Sequence, residues 1–154
     1  MLSRTPCCRI VAQRLALLAL TVSSACSRAE PPLALTVIGT DYAFLVPDTV
    51  PAGMAVVTFE NRGRVPHELV LARIRHDVSS REFADSLSHG ARMVPLRATG
   101  SAVIFASPGR TNELVRMQVD FKRGERYAFW CQLVDSAGAQ KHNVLGMFKL
   151  VSVR

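Results

Sequence analysis

The chain has 154 residues, 49% of them hydrophobic and 20% charged, which suits one globular domain with its own core and excludes a disordered tail. The formal charge is +7, but three of those charges are arginines in the first 26 residues. The others are scattered, with no run of five or more basic residues and few aromatic rings to stack on bases, so nucleic acid is not an expected partner, although a mildly basic surface can steer an acidic one.

Residues 1–26 read as a leader. MLSRTPCCRIVAQR carries Arg4, Arg9 and Arg14 and no acid, and the apolar run LALLALTV is of signal-peptide length, too short to span a bilayer comfortably. Ser23, Ser24 and Ala25 then precede Cys26, an arrangement that resembles a bacterial lipobox, in which the cysteine is lipidated and becomes the mature N-terminus. Ser23 departs from that pattern, which usually has an aliphatic residue there, and ordinary signal cleavage nearby is the alternative. Either way the expected destination is outside the cytoplasm: periplasmic, or held at the membrane through Cys26. SRAEPP, residues 27–32, reads as a short tether, and the folded domain is expected over 33–154.

LALTVI (33–38) is apolar and β-branched, a first strand that Asp41-Tyr42-Ala43-Phe44 continues. PDTVPAG (47–53) is turn chemistry. MAVVTFEN (54–61) and HELVLARI (67–74) are the next two strands. SSREFADSLSH differs: Ser79 or Ser80 can cap a helix, Glu82 can close a capping box, Phe83 and Leu87 share a helical face, and Gly90 can stop it, so one short helix is expected at about 79–90. Residues 91–101 look irregular. Ala102–Phe105, Glu113–Phe121, YAFWC (127–131) and MFKLVSV (147–153) complete an expected all-β sandwich of seven or eight strands. The chain carries no internal repeat, phosphate loop or nucleotide fingerprint.

Of the four cysteines, Cys7 and Cys8 fall in the leader and Cys26 is lipidated or removed, so Cys131 is the lone thiol of the expected mature domain. In an oxidising compartment such a thiol is a liability unless it is buried or ligates a metal. Strand alternation puts Tyr127, Phe129 and Cys131 on one face and Ala128 and Trp130 on the other, which turns the thiol inward. Buried free cysteine is common in itself, loop histidines are usually solvated, and a methionine at a strand start usually packs in a core. What raises the ligand reading is their conjunction: Cys131, His142 and Met147 stand around one strand–loop–strand junction, and thiolate, imidazole and thioether suit copper. A His2Cys plane with a weak axial methionine needs a second imidazole, for which His67 is the candidate, stiffened by Pro66. His76, in a charged turn, and His89, at the helix end, are poorer choices.

With His67 followed by Cys131, His142 and Met147, the chain resembles the cupredoxins, the small blue copper proteins. DYAFLVPDTVPAGMAVVTFENRGRVPHELVLARI resembles the segment that leads to their first histidine ligand, and YAFWC…HNVLGMFKLV their Cys-loop-His-x-x-x-Gly-Met motif. The resemblance spans residues 33–153. It implies a Greek-key β-sandwich with one type 1 copper at one end, held by His67, Cys131, His142 and Met147, passing single electrons to a redox partner protein, with 79–97 an insertion beside the site. The chain departs from the family in its ligand loop: ten residues separate Cys131 from His142, and a polar loop of that length can carry His142 out of place or admit water. Asp135 is the loop's single acid. No triad order or paired carboxylates suggest an enzyme. The alternatives to a monomeric electron carrier are a copper chaperone or sequestering protein and a metal-free interaction module.

Overall fold

The computed structural model describes residues 31–89, 101–111 and 115–154. The leader, Cys26, most of the tether, Gly90 and residues 91–100 lie outside them. Residues 31–154 form a single compact unit. Among the described residues no helix is long and apolar enough to cross a membrane.

Among the described residues ten strands build two mixed sheets. In the first, β1 (Leu33–Thr40) lies between β2 (Ala43–Leu45) and β4 (Gly53–Asn61), and β4 also pairs with β7 (Arg110–Thr111) and β8 (Met117–Phe121). In the second the order is β3 (Thr49–Val50), β10 (Phe148–Val153), β9 (Arg126–Trp130), β5 (His67–Ile74), β6 (Ser101–Ala106). The count exceeds the seven or eight expected because short pieces hidden in turn sequence still find partners. Thr49–Val50, inside the proline-bounded turn, pairs in parallel with the end of β10. Asp41-Tyr42 does not extend β1: the chain turns there and returns as β2, Thr40 opposite Ala43 and Ile38 opposite Leu45. That reversal holds Asp41 and Tyr42 at the sheet's end.

Period-two patterning explains the layering. Leu35 and Val37 of β1, Ala55, Val57 and Phe59 of β4, Leu69 and Leu71 of β5, and Tyr127, Phe129 and Cys131 all point into the core between the sheets. The alternate residues of the second sheet, Val70, Ala72, Ile74, Ala128, Trp130 and Leu150, form another apolar layer on its outer face. The helix α1 (Ser80–Ser88) covers that layer with Phe83 and Leu87. Phe83 packs 6.0 Å from Trp130 and 5.5 Å from Phe148, ring centre to ring centre. Being covered on both faces, β5 and β9 read as nearly unbroken apolar runs rather than alternating ones. The helix begins as its sequence dictates: Ser79 accepts from the Glu82 amide, and the Glu82 side chain returns to the Ser79 amide, a complete capping box.

In the second sheet β9 lies between β5 and β10 and runs antiparallel to both. The start of β5, the end of β9 and the start of β10 therefore meet at one edge, which brings His67, Cys131 and Met147 together from distant parts of the chain.

Candidate metal centre

Among the described residues, His67, Cys131 and His142 form a cluster whose ligand atoms all lie within 4.8 Å of one another. All three are buried, at 0%, 0% and 1% exposure. His67 Nδ1 is 3.0 Å from His142 Nδ1, and Cys131 Sγ is 3.4 Å from His142 Nδ1. Met147 is fully buried in the core cluster that contains Cys131. Its amide donates to the His142 carbonyl (2.9 Å) and its carbonyl accepts from the Cys131 amide (3.2 Å), so its backbone ties those two residues together. His76 and His89 stand apart. His76 is exposed, and the His89 ring donates to the Asp85 carbonyl at the end of α1.

Each imidazole is held from behind. His67 Nε2 lies 3.1 Å from Asp41 Oδ1 and His142 Nε2 lies 2.9 Å from Asp135 Oδ1. Asp135 also accepts from the Tyr42 hydroxyl, and Asp41 accepts from the Arg64 amide (3.0 Å) and guanidinium (3.0 Å). The Tyr42 ring lies against both imidazoles, 4.9 Å from His142 and 6.1 Å from His67. Asp41, Tyr42 and Asp135 thus form the outer layer over the two imidazoles.

The local backbone is built for this. Buried Asn61 donates to the Val65 carbonyl (2.8 Å) and the Ala106 carbonyl (3.0 Å) and accepts from the Gly63 amide (2.8 Å), which staples the turn that delivers His67. Gly63 must lack a side chain, since a Cβ there would stand 2.7 Å from His67 Nε2 and would also collide with the Asp41 carboxylate. The ten-residue ligand loop is ordered by its own bonds. The His142 amide donates to the Leu133 carbonyl (2.8 Å) and the Asn143 amide to the Cys131 carbonyl (2.8 Å). The loop does not open the site to water as its length and polarity suggested: His142 is buried, and the acid within the loop covers it.

Electrostatics follow from these contacts. Burial opposes the charge on Asp41, but bonds from Arg64 and His67 outweigh it and bring the carboxyl down to about 2. The Tyr42 bond, with His142, holds Asp135 below its ordinary value, and the same bond pushes the Tyr42 hydroxyl up. Burial lowers His67, with Asp41 pulling the other way. Burial pushes the Cys131 thiol up to about 11, although the amides of Glu68 (3.4 Å) and Leu133 donate to its sulfur.

These positions test the fit of a metal. Ionised carboxylates only accept, so each Nε2 donates outward, and in the neutral rings that leaves each Nδ1 lone pair turned inward. Two such lone pairs face each other across 3.0 Å beside a sulfur, an arrangement completed by a cation that accepts from all three. Two imidazoles and a thiolate are the donor set of a single type 1 copper, and the residues fit it.

Comparison with solved structures decides the architecture. Auracyanin from Roseiflexus castenholzii matches with a TM-score of 0.50 over 81% of this chain and 99% of its own, at 17% identity. The fold is that of the cupredoxins. Auracyanin A from Chloroflexus aurantiacus, described as a "blue" copper protein, is 22% identical over 80% of this chain and all of its own, with a TM-score of 0.47. Reduced rusticyanin is 17% identical over 81% and 82%, with a TM-score of 0.44. No protein-family model matches the sequence, and no curated protein does. Of the residues the sequence singles out, the structure brings His67, Cys131 and His142 into one cluster and buries Met147 in the core beside Cys131. Asp41, Tyr42, Gly63 and Asp135 carry no site role in the sequence pattern and join the site through the fold. The available signal was an acid four residues after the cysteine, inside the ligand loop.

Proposed function

We propose that this cupredoxin is an exported, monomeric electron carrier in which His67, Cys131 and His142, with Met147 as a weaker fourth donor, would hold one type 1 copper, and that it exchanges electrons with a redox partner protein. The observation that carries the reading is the buried His67–Cys131–His142 cluster, in which His142 Nδ1 faces both the Cys131 sulfur and His67 Nδ1. Copper supplies a one-electron couple when bound. The chain's own part is to hold the donors still and dry. β5 and β9, central in their sheet, fix His67 and the approach to Cys131. The amides of Glu68 and Leu133 donate to the sulfur, which stabilises a thiolate, and Tyr42 with the two carboxylates keeps water off the imidazoles. A site that neither gains nor loses water on electron transfer reorganises little, which favours exchange of electrons over exchange of metal. We further propose delivery to the cell envelope through the leader, with Cys26 lipidated. Intact mass of the membrane-extracted protein checks this, and a soluble species cleaved elsewhere and indifferent to Cys26→Ser rules the anchor out.

The test of function is addition of Cu(II) to the metal-free protein. One equivalent should bind and produce an intense visible band, from transfer of sulfur electron density toward copper. Because the thiol sits at about 11, binding at neutral pH must release its proton, so apparent affinity should rise about tenfold per pH unit for that proton and fall in acid. Binding without a visible band, equal in Cys131→Ser, would identify a sequestering protein. No binding would leave a metal-free module.

A further inference from the structure

Asp41 and Asp135 approach the two imidazoles in the same way but in different electrostatic company. Asp41 also bonds the amide and guanidinium of Arg64, so its charge is shared with a cation. Asp135 bonds a neutral phenol, Tyr42, and among the described residues no lysine or arginine bridges to it. Both reach across the chain, 26 positions to His67 in one case and 7 to His142 in the other, and Tyr42 braces the second from 93 positions away. Carboxylates behind metal-bound imidazoles fix the tautomer and the ring angle and strengthen the nitrogen as a donor.

Resting on the copper reading above, we propose that Asp41 and Asp135 are positioning residues that fix each imidazole with Nδ1 toward the metal, and that Asp135, bonded to a phenol and to no cation among the described residues, is the main carboxylate lowering the reduction potential of the site. The reason is charge. A metal ion held by one thiolate beside two carboxylates is better matched when it carries two positive charges than one, so negative charge nearby favours the oxidised form. Arg64 cancels much of that effect at Asp41, and among the described residues no cation does so at Asp135. Tyr42 keeps the second carboxylate turned to His142 rather than to solvent.

The experiment has two arms on the full chain. In the first, copper-loaded wild type, Asp135→Asn and Asp41→Asn are titrated potentiometrically. Asp135→Asn should raise the potential by the equivalent of about a tenfold change in relative affinity for the two copper states, ~59 mV for one electron, with a clearly smaller rise for Asp41→Asn. Equal shifts in the two variants, or none, would overturn the proposal. In the second arm, long-range proton–nitrogen spectra of the metal-free protein read the tautomers directly. Wild type should carry the ring proton on Nε2 of both His67 and His142, and Asp135→Ala should release His142 alone into a mixture. An Nδ1 proton on either wild-type ring would refute the positioning role. Since this arm needs no copper, it separates failure of the proposal from failure of the copper reading, which would show as a wild-type protein without the visible band.

Discussion

Replacing Cys131 by serine should erase the visible band of the copper-loaded protein while leaving the fold intact. The sulfur is the soft donor of the set, and its high-lying lone pair is what a half-filled copper orbital overlaps to absorb strongly. A serine hydroxyl is a hard, weakly donating ligand that gives no such transition. The fold should survive because the substitution preserves the local hydrogen bonds. Cys131 is fully buried, and the amides of Glu68 and Leu133 donate to its sulfur. A hydroxyl can accept from both, whereas an alanine would orphan two buried donors at roughly 1–3 kcal/mol each. The measurement is a pair: the visible spectrum after one equivalent of Cu(II), and the thermal midpoint of the metal-free form. A serine variant that keeps the intense band would show that the thiolate is not a ligand.

The inward thiol and the fold class were legible for different reasons. Alternation along YAFWC turned Cys131 inward because a strand's faces are set by residue parity alone, and the structure places Tyr127, Phe129 and Cys131 in the inner core with Ala128 and Trp130 in the outer layer. The helix was legible down to its capping box because the Ser79–Glu82 interaction spans three residues. What could not be read was whatever depends on distant returns of the chain. Asp41-Tyr42 has strand composition, and its role appears only once β2 folds back against β1 and sets both residues over histidines that come from β5 and the ligand loop. Asp135 has the look of a solvated loop acid, and its side chain is in fact 35% exposed. Only its reach to His142 makes it part of the site. The length of the loop suggested a wet, loose ligand, but a longer loop also has enough chain to fold an acid back over its own histidine.

The core behind the His67–Cys131–His142 cluster is the second place where a single change should have a large effect. Phe129 is fully buried, stands opposite Leu71 of β5 and Lys149 of β10 in the sheet, and shares its face with Tyr127 and with Cys131 two residues on. Phe129→Ala should therefore cost about 3–5 kcal/mol, the range for deleting a buried aromatic and leaving a cavity that the neighbours only partly fill. Against the roughly 5–15 kcal/mol that holds a domain of this size, that is a large share. Relaxation is restricted here, because β9 is hydrogen-bonded on both sides and cannot shift toward the void without breaking register with β5 or β10. Val103 on the edge strand β6 is the control: it is 53% exposed, and Val103→Ala should change stability by less than about 0.5 kcal/mol. Urea unfolding of the metal-free forms measures both. A Phe129→Ala loss below about 1 kcal/mol would mean that the inner face is not packed as described. With the expected loss, the same variant should still take up copper, since all four proposed ligands and both carboxylates are untouched, but with a broader visible band as Cys131 gains freedom beside the cavity.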